Sequence, residues 1–514
     1  MHIVTNLITP YGFHRDEFLY LAMGEHLRLW QMDFPPFIAL VGRASHALFG
    51  TSLAGIRLGP AFAHAGLVYA ATLATSLFGG RRSAQMLAAL SVALCPYFMR
   101  AGAMLQPVVF DQLWWTLALL AMTIRIKEDD RKHWLGIGVL LGLAALTKFS
   151  VAFIAAGFIV ALVATPLRKD LTTKWPWIAV LIATVIGHPS ITGQIFLNWP
   201  VFKQFDELKS SQLSHVSPIS FVTDQLGVGP AFLLMLVGMI WLFAGRRRSA
   251  GAASHNNGTA RSMGAEAQNK DTPPDFRPVA FATATAFLIL LLVRGKAYYI
   301  APIYPILIAA GAAAIDEFAV RISPKRPTKV LAVVAAIVAL YGMIGLPFGL
   351  PLLAPNEMST VSRELGQQQR TNQRELIPLP QDYADMLGWP ELAAKTARVW
   401  NALPPADTAN AILIGTNYGR AGALDLIGRE LGLPPAISAA GSYWFFGPGI
   451  KTGDVAVVPA NNAEDLAPFY AECTERARTT NPWGVAEEQS VRIYVCRGAK
   501  ASIQQVWPSL SGRN

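Results

Sequence analysis

Two adjacent carboxylates, Asp16 and Glu17, open an amphipathic stretch that reads YGFHRDEFLYLAMGEHLRLWQMDFPPFIAL. On a helix, neighbours project about 100° apart, so the pair cannot share one task symmetrically. One can act as base or acid while the other supports it or binds substrate. The alternative is a pair of helix N-terminal charges that complement the macrodipole. Asp111 stands near the start of an apolar stretch, LQPVVFDQLWWTLALL. An unpaired charge there is costly, so Asp111 is either functional or a cap of its helix. Lys148 occupies a very short turn, LTKFS, between two apolar stretches; it joins a site or snorkels to an interface. RGKAYYIAPIYP sets Arg294 and Lys296 beside Tyr298 and Tyr299. Paired cations suit an anionic headgroup such as a phosphate, or form the basic flank of an aromatic belt. A carboxylate at a hydroxyl proton and cations at a departing phosphate would be the two halves of a group transfer.

The elements that must position these groups are set by composition. Of 514 residues, 53% are hydrophobic and only 15% charged, against about a quarter charged in soluble domains. The deficit is confined to residues 1–353, long apolar stretches with short polar breaks. About ten spans are expected, at 53–78, 84–99, 108–126, 134–147, 149–165, 176–197, 228–244, 278–293, 298–315 and 329–353. Several fall short of the ~20 residues a straight span needs, which points to broken or half-buried helices.

Assigning alternate loops to alternate sides separates the charges. One set holds Arg81, Arg82, Arg125, Lys127, Arg131, Lys132, Arg168, Lys169, Lys174, Arg246, Arg247, Arg248, Arg261, Lys270, Arg277, Arg321, Lys325, Arg326 and Lys329. The other holds far fewer basic residues, among them Arg100, Lys148, Arg294 and Lys296. The positive-inside bias makes the first set cytoplasmic and puts every candidate group outside. The same bias accounts for the net charge of +10 and excludes a nucleic-acid-binding reading. It leaves Met1 outside with no preceding span, and the expectation is that one helix upstream of Met1 is missing. Residues 246–277 are small, polar and basic, and read as a disordered cytoplasmic loop.

Residues 356–514 read as a soluble domain. AILIG, DVAVVP and RIYVC are strand-like; TNYGRAGALDLIGRELGLP and NAEDLAPFYAEC are helix-like. The alternation predicts an α/β layer. Cys95 is a packing residue, whereas Cys473 and Cys496 either pair or stay free. No Cys and His spacing suggests a metal site, so no metal ligand is assigned; a divalent cation is possible but no cofactor is fixed.

In order along the chain, HRDEFLYLA, DFPPFIALVGR, LFGTSLAGIRLGPA, the aspartate of FDQLWWTLAL and GLAALTKFS resemble the C-type (GT-C) polytopic glycosyltransferases. Within them the chain is similar to the bacterial relatives of dolichyl-phosphate-mannose protein mannosyltransferases and of the aminoarabinose transferase acting on lipid A. The resemblance covers most of residues 11–353, and NYGRAGALDL, SYWFFGP and YVCRG extend it into the tail. It implies a polytopic α-helical membrane protein of GT-C type, with eleven or more spans and a C-terminal extracytoplasmic α/β domain, in a bacterial inner membrane. It further implies a periplasmic active site and a polyprenyl-phosphate sugar donor. Asp16, with Glu17 adjacent, would be the base or position the acceptor; Asp111 would match the intramembrane acid; Lys296 and Tyr298 would hold the lipid phosphate. One departure stands out: where the aminoarabinose-transferase pattern has a lysine before the double proline, this chain has Phe34. The phosphate would then depend on Lys148, Arg294 or Lys296.

The function expected is inverting transfer of a sugar from the lipid phosphate to a lipid, glycan or protein hydroxyl. The alternative is a transporter or flippase for a lipid-linked solute. That would call for polar residues through the full membrane depth and for internal repeats, and neither is visible.

Overall fold

The computed structural model describes residues 1–245, 274–367 and 369–510. Most of the segment expected to be disordered, 246–277, lies outside the described residues; Arg277 already begins a helix.

All ten expected apolar segments are helical. Four of the resulting helices are long and apolar enough to cross a membrane: Pro107–Glu128, Trp175–Phe196, Ala297–Ile322 and Pro327–Gly349. Taking each of three bent pairs as one span gives up to seven among the described residues by length and apolarity; of the ten expected segments, Leu58–Leu77 and the shorter His133–Thr147 and Arg277–Leu292 fall outside that count. Helix Arg82–Ala93 meets Pro96–Gly102 at 61°, Val151–Ala164 meets Pro166–Thr172 at 96°, and Pro218–Val228 meets Ala231–Phe243 at 110°. A proline opens the second member of the first two pairs, where it fixes φ and lacks the N–H that would continue the ladder. Helix Leu58–Leu77 buries one face in the bundle through Leu67, Ala70, Ala71 and Ala74, while Phe62 and Tyr69 on its other side are exposed. A helix face that meets protein rather than lipid can carry His64 and small residues. The outermost helices do the opposite: Val180, Leu181 and Val185, and Val333, Leu340 and Met343, lie exposed as an apolar belt. Helices in lipid associate through small residues that let backbones touch. At Gly238 and Gly311 a Cβ would run into the facing carbonyls of Leu307 and Leu234.

The two loop sets meet at opposite ends of the bundle. Arg125 and Arg131 share Asp170 at 2.9–3.0 Å, Arg81 holds Asp316, and Lys127 donates to the Leu77 carbonyl. The far end carries Asp16, Lys148 and Lys296.

The soluble domain is built on a five-stranded mixed sheet of order β2-β1-β3-β5-β4. Its strands are β1 (Ile412–Ile414), β2 (Ala436–Ile437), β3 (Val455–Ala460), β4 (Tyr470–Arg478) and β5 (Arg492–Ala499). β1 pairs in parallel with β2 and β3, and β5 pairs antiparallel with β3 and β4. β3 is buried along its whole length. NAEDLAPFYAEC is a turn running into β4, not a helix. Pro468 ends any helical start, and the ladder to β5 overrides the helix-forming residues beyond it. Cys473 faces Cys496 in that ladder, and the two form a disulfide; Cys95 is free and buried. One face of the sheet is covered by helices Trp389–Asn401 and Tyr418–Leu426. The same core takes in Ala22 of helix Arg15–Glu25, so the soluble domain and the first loop are packed as one body.

Candidate active site

Helix Arg15–Glu25 begins with a capping box. His14 Nδ1 accepts the Asp16 N–H at 3.1 Å, and Glu17 Oε2 accepts the His14 N–H at 2.7 Å. This cap decides between the two carboxylates. Glu17 is fully buried and receives Arg57 Nε at 2.8 Å, Arg57 Nη2 at 2.7 Å and the Leu105 N–H at 2.7 Å. Burial alone would raise its pKa, but the Arg57 charge and these donors hold the carboxyl below its ordinary range. Every strong acceptor position on Glu17 is taken, so it anchors the loop and does not face a reactant. That corrects its expected place beside Asp16 in the chemistry.

Asp16, one residue back, turns to the other side and is partly exposed. Tyr418 of the soluble domain donates to its Oδ1 at 2.9 Å, and Oδ2 lies 3.8 Å from His14 Nδ1. Burial, then the Asp16 charge, push the Tyr418 phenol well up. It stays a proton donor at neutral pH.

Across from this carboxylate stand the cations. Lys148 ends helix His133–Thr147, and its Nζ lies 4.4 Å from the Tyr299 ring centroid and 5.3 Å from that of Tyr298. Lys296 Nζ lies 5.8 Å from Tyr298 and donates to Asn372 Oδ1 at 3.4 Å. Burial and then Lys148 lower the Lys296 ammonium to about 8, while Asp382 and Asp16 act in its favour. Lys296 therefore lies close enough to Lys148, Asp382 and Asp16 to feel the charge of each. Asp111 is buried beneath them, accepts from Ser150 Oγ at 2.9 Å and interacts electrostatically with Lys148. Its Oδ1 has no partner among the described residues. The Tyr298 ring thus lies near both ammonium groups, and the Tyr299 ring near that of Lys148.

Arg294 does not join the cluster. It is exposed and sits at φ 55°, and its side chain makes no hydrogen bond or ion pair with the described residues.

Several members carried no readable signal. Asp382 lies 3.4 Å from Arg100 and 3.9 Å from His14 Nε2. Asp385 is buried, 3.8 Å from both His14 Nε2 and Arg15 Nη1; burial, opposed by His14 and Arg15, raises it to about 6. Since His14 Nδ1 accepts a backbone N–H, a neutral ring carries its proton on Nε2, toward these two carboxylates. Among the described residues no group of three His, Cys, Asp or Glu side chains is placed to hold a metal ion.

A bundle of straight and bent helices, with polar groups gathered at one end beneath a sheet domain, is a fold shared with solved membrane glycosyltransferases. Part of the chain matches a glycosyltransferase family model, and the whole fold is similar to that of solved GT-C glycosyltransferases. Residues 33–192 match the family described as dolichyl-phosphate-mannose-protein mannosyltransferase. The structure of ArnT from Cupriavidus metallidurans bound to undecaprenyl phosphate superposes with a TM-score of 0.57 at 15% identity, over 96% of this chain and 95% of that one. Its apo form gives 0.56 at 16% identity, over 100% and 97%. No curated protein matches the sequence.

Proposed function

We infer that the protein moves a sugar from a polyprenyl-phosphate donor to a hydroxyl of an envelope acceptor, by single displacement with inversion. The observation that carries this is the meeting, at one end of the bundle, of Asp16 with Lys148, Lys296 and Tyr298 above Asp111. Asp16 Oδ2 takes or orients the acceptor proton, and Oδ1 is held by Tyr418. Lys148 and Lys296 face the departing phosphate, where preorganised positive charge helps most as negative charge develops. The undecaprenyl phosphate in the ArnT structure supports a lipid-phosphate donor. The active end is extracytoplasmic on this reading. The charge bias supports that, and so does the Cys473–Cys496 disulfide, since disulfides persist in oxidising compartments. We assign the chain to a bacterial inner membrane on the same grounds.

The test is transfer by the purified full chain from polyprenyl-phosphate hexoses and aminopentoses to an envelope-lipid extract. Asp16→Asn is expected to abolish transfer and retain donor binding. Full transfer by Asp16→Asn would overturn the assignment.

A further inference from the structure

The soluble domain touches Asp16 through a particular face. Helix Tyr418–Leu426 begins Tyr-Gly-Arg-Ala-Gly, which puts Gly419 and Gly422 on one side. That side lies directly on helix Arg15–Glu25. A Cβ at Gly419 would sit 3.1 Å from Arg15 Cβ, and one at Gly422 would collide with Phe18 Cβ. Only glycine permits this approach, and the approach carries Tyr418 to Asp16. The start of the helix is itself fixed. Asn417 caps it by accepting the Arg420 N–H at 2.8 Å. The buried Arg420 side chain holds Glu488 at 3.1 Å, Thr416 Oγ1 at 2.7 Å and Asn461 Oδ1 at 2.9 Å. The Arg15 guanidinium lies over the Tyr418 ring, 4.9 Å from its centroid, and so sets the ring plane. The hydroxyl is thereby aimed at one oxygen of Asp16, leaving Oδ2 free of any hydrogen bond among the described residues.

We propose that the soluble domain is part of the catalytic centre, with Tyr418 as the positioning residue that holds Asp16 in the orientation needed to receive the acceptor hydroxyl. The proposal rests on the sugar-transfer reading above. It gives the domain a role in the reaction step itself: a domain docked by its glycine face fixes the carboxylate, and an undocked one leaves it free to rotate. Tyr418 meets Asp16 and Arg15 and none of Lys148, Lys296 or Asp111 in the contacts described, so its effect is expected on turnover and not on donor affinity.

Tyr418→Phe deletes the hydroxyl and keeps the ring over Arg15. With the purified full chain, and the polyprenyl-phosphate sugar that the wild type turns over, kcat is expected to fall about tenfold, the scale of one hydrogen bond to a charged group. Donor KM should stay within about twofold, and the unfolding temperature should fall by no more than a few degrees, because the ring and its packing are retained and one hydrogen bond is lost. Gly422→Ala leaves Tyr418 intact but forces the two helices apart, and should give the same split between kcat and KM. Wild-type kcat in Tyr418→Phe would overturn the proposal while leaving the transfer reading in place. So would a fall in kcat matched by an equal rise in donor KM. A wild-type chain that turns over none of the polyprenyl-phosphate sugars would defeat the transfer reading, and this proposal with it.

Discussion

Replacing Glu17 by alanine separates a residue that builds the site from one that reacts in it. The change removes the acceptors of Arg57 Nε, Arg57 Nη2, the His14 N–H and the Leu105 N–H. Arg57 keeps only Asn6 Oδ1 at 3.1 Å and the Gly12 carbonyl at 3.0 Å as oxygen acceptors. Both side chains of the ion pair are 0% exposed, so water cannot replace what is lost. Removing one partner of a buried pair costs about 3–5 kcal/mol. The two orphaned N–H groups fall within that figure in part, because they are consequences of the same deletion. The assay is thermal unfolding of the purified chain in detergent, followed by tryptophan fluorescence. Glu17→Ala should unfold several degrees below wild type, and well below that temperature should retain transfer with its donor KM. Glu17→Leu combined with Arg57→Met removes both charges and should recover a large part of the loss, since a buried pair replaced by apolar groups is often near neutral. A Glu17→Ala protein that unfolds with the wild type yet transfers no sugar would refute the reasoning and return Glu17 to the chemistry.

Two further outcomes follow from the geometry. Lys296 loses its proton near pH 8 because burial and Lys148 depress it. The charged form prevails below that pH, so kcat/KM for the donor should fall as pH rises through about 8. Asp382→Asn removes a carboxylate that supports the charge and should move the break to lower pH, and Lys296→Arg should remove the break; a wild-type profile with no break near 8 would contradict the assignment. Cys473 and Cys496 close a chain separation of 23 residues, worth about 3 kcal/mol by loop-closure entropy. Reduction, or Cys473→Ala with Cys496→Ala, should lower the unfolding temperature and expose the sheet to protease. Unchanged protease resistance under reductant would argue against the pairing.

What could be read from the sequence was what hydropathy and charge determine locally. The helical segments and the division of basic residues between two ends need no long-range information. Asp16, Asp111, Lys148, Lys296 and Tyr298 stood out because polar groups beside apolar stretches are expensive, and the structure does bring them together. The choice between Asp16 and Glu17 was not readable, because it depends on Arg57, forty residues away, pointing at one of them. Arg294 was read as part of the cluster because it is near Lys296 in sequence, but a left-handed backbone turns it out. Tyr418, Asp382 and Asp385 resemble ordinary polar residues of a soluble domain. Only the docking of that domain on helix Arg15–Glu25 makes them part of a site. β4 was missed because strand pairing, not local propensity, decides it.

Mass spectrometry of envelope lipids and glycans is the most direct test of the central claim that sugar transfer at this end of the bundle depends on Asp16. Three strains would be compared: one lacking the protein, the same strain carrying the wild-type chain, and the same strain carrying Asp16→Asn at equal membrane level. The account predicts one envelope species lighter by a single sugar mass in the deletion strain, restored by the wild type and not by Asp16→Asn. Restoration by Asp16→Asn, or identical envelope profiles in all three strains, would contradict it.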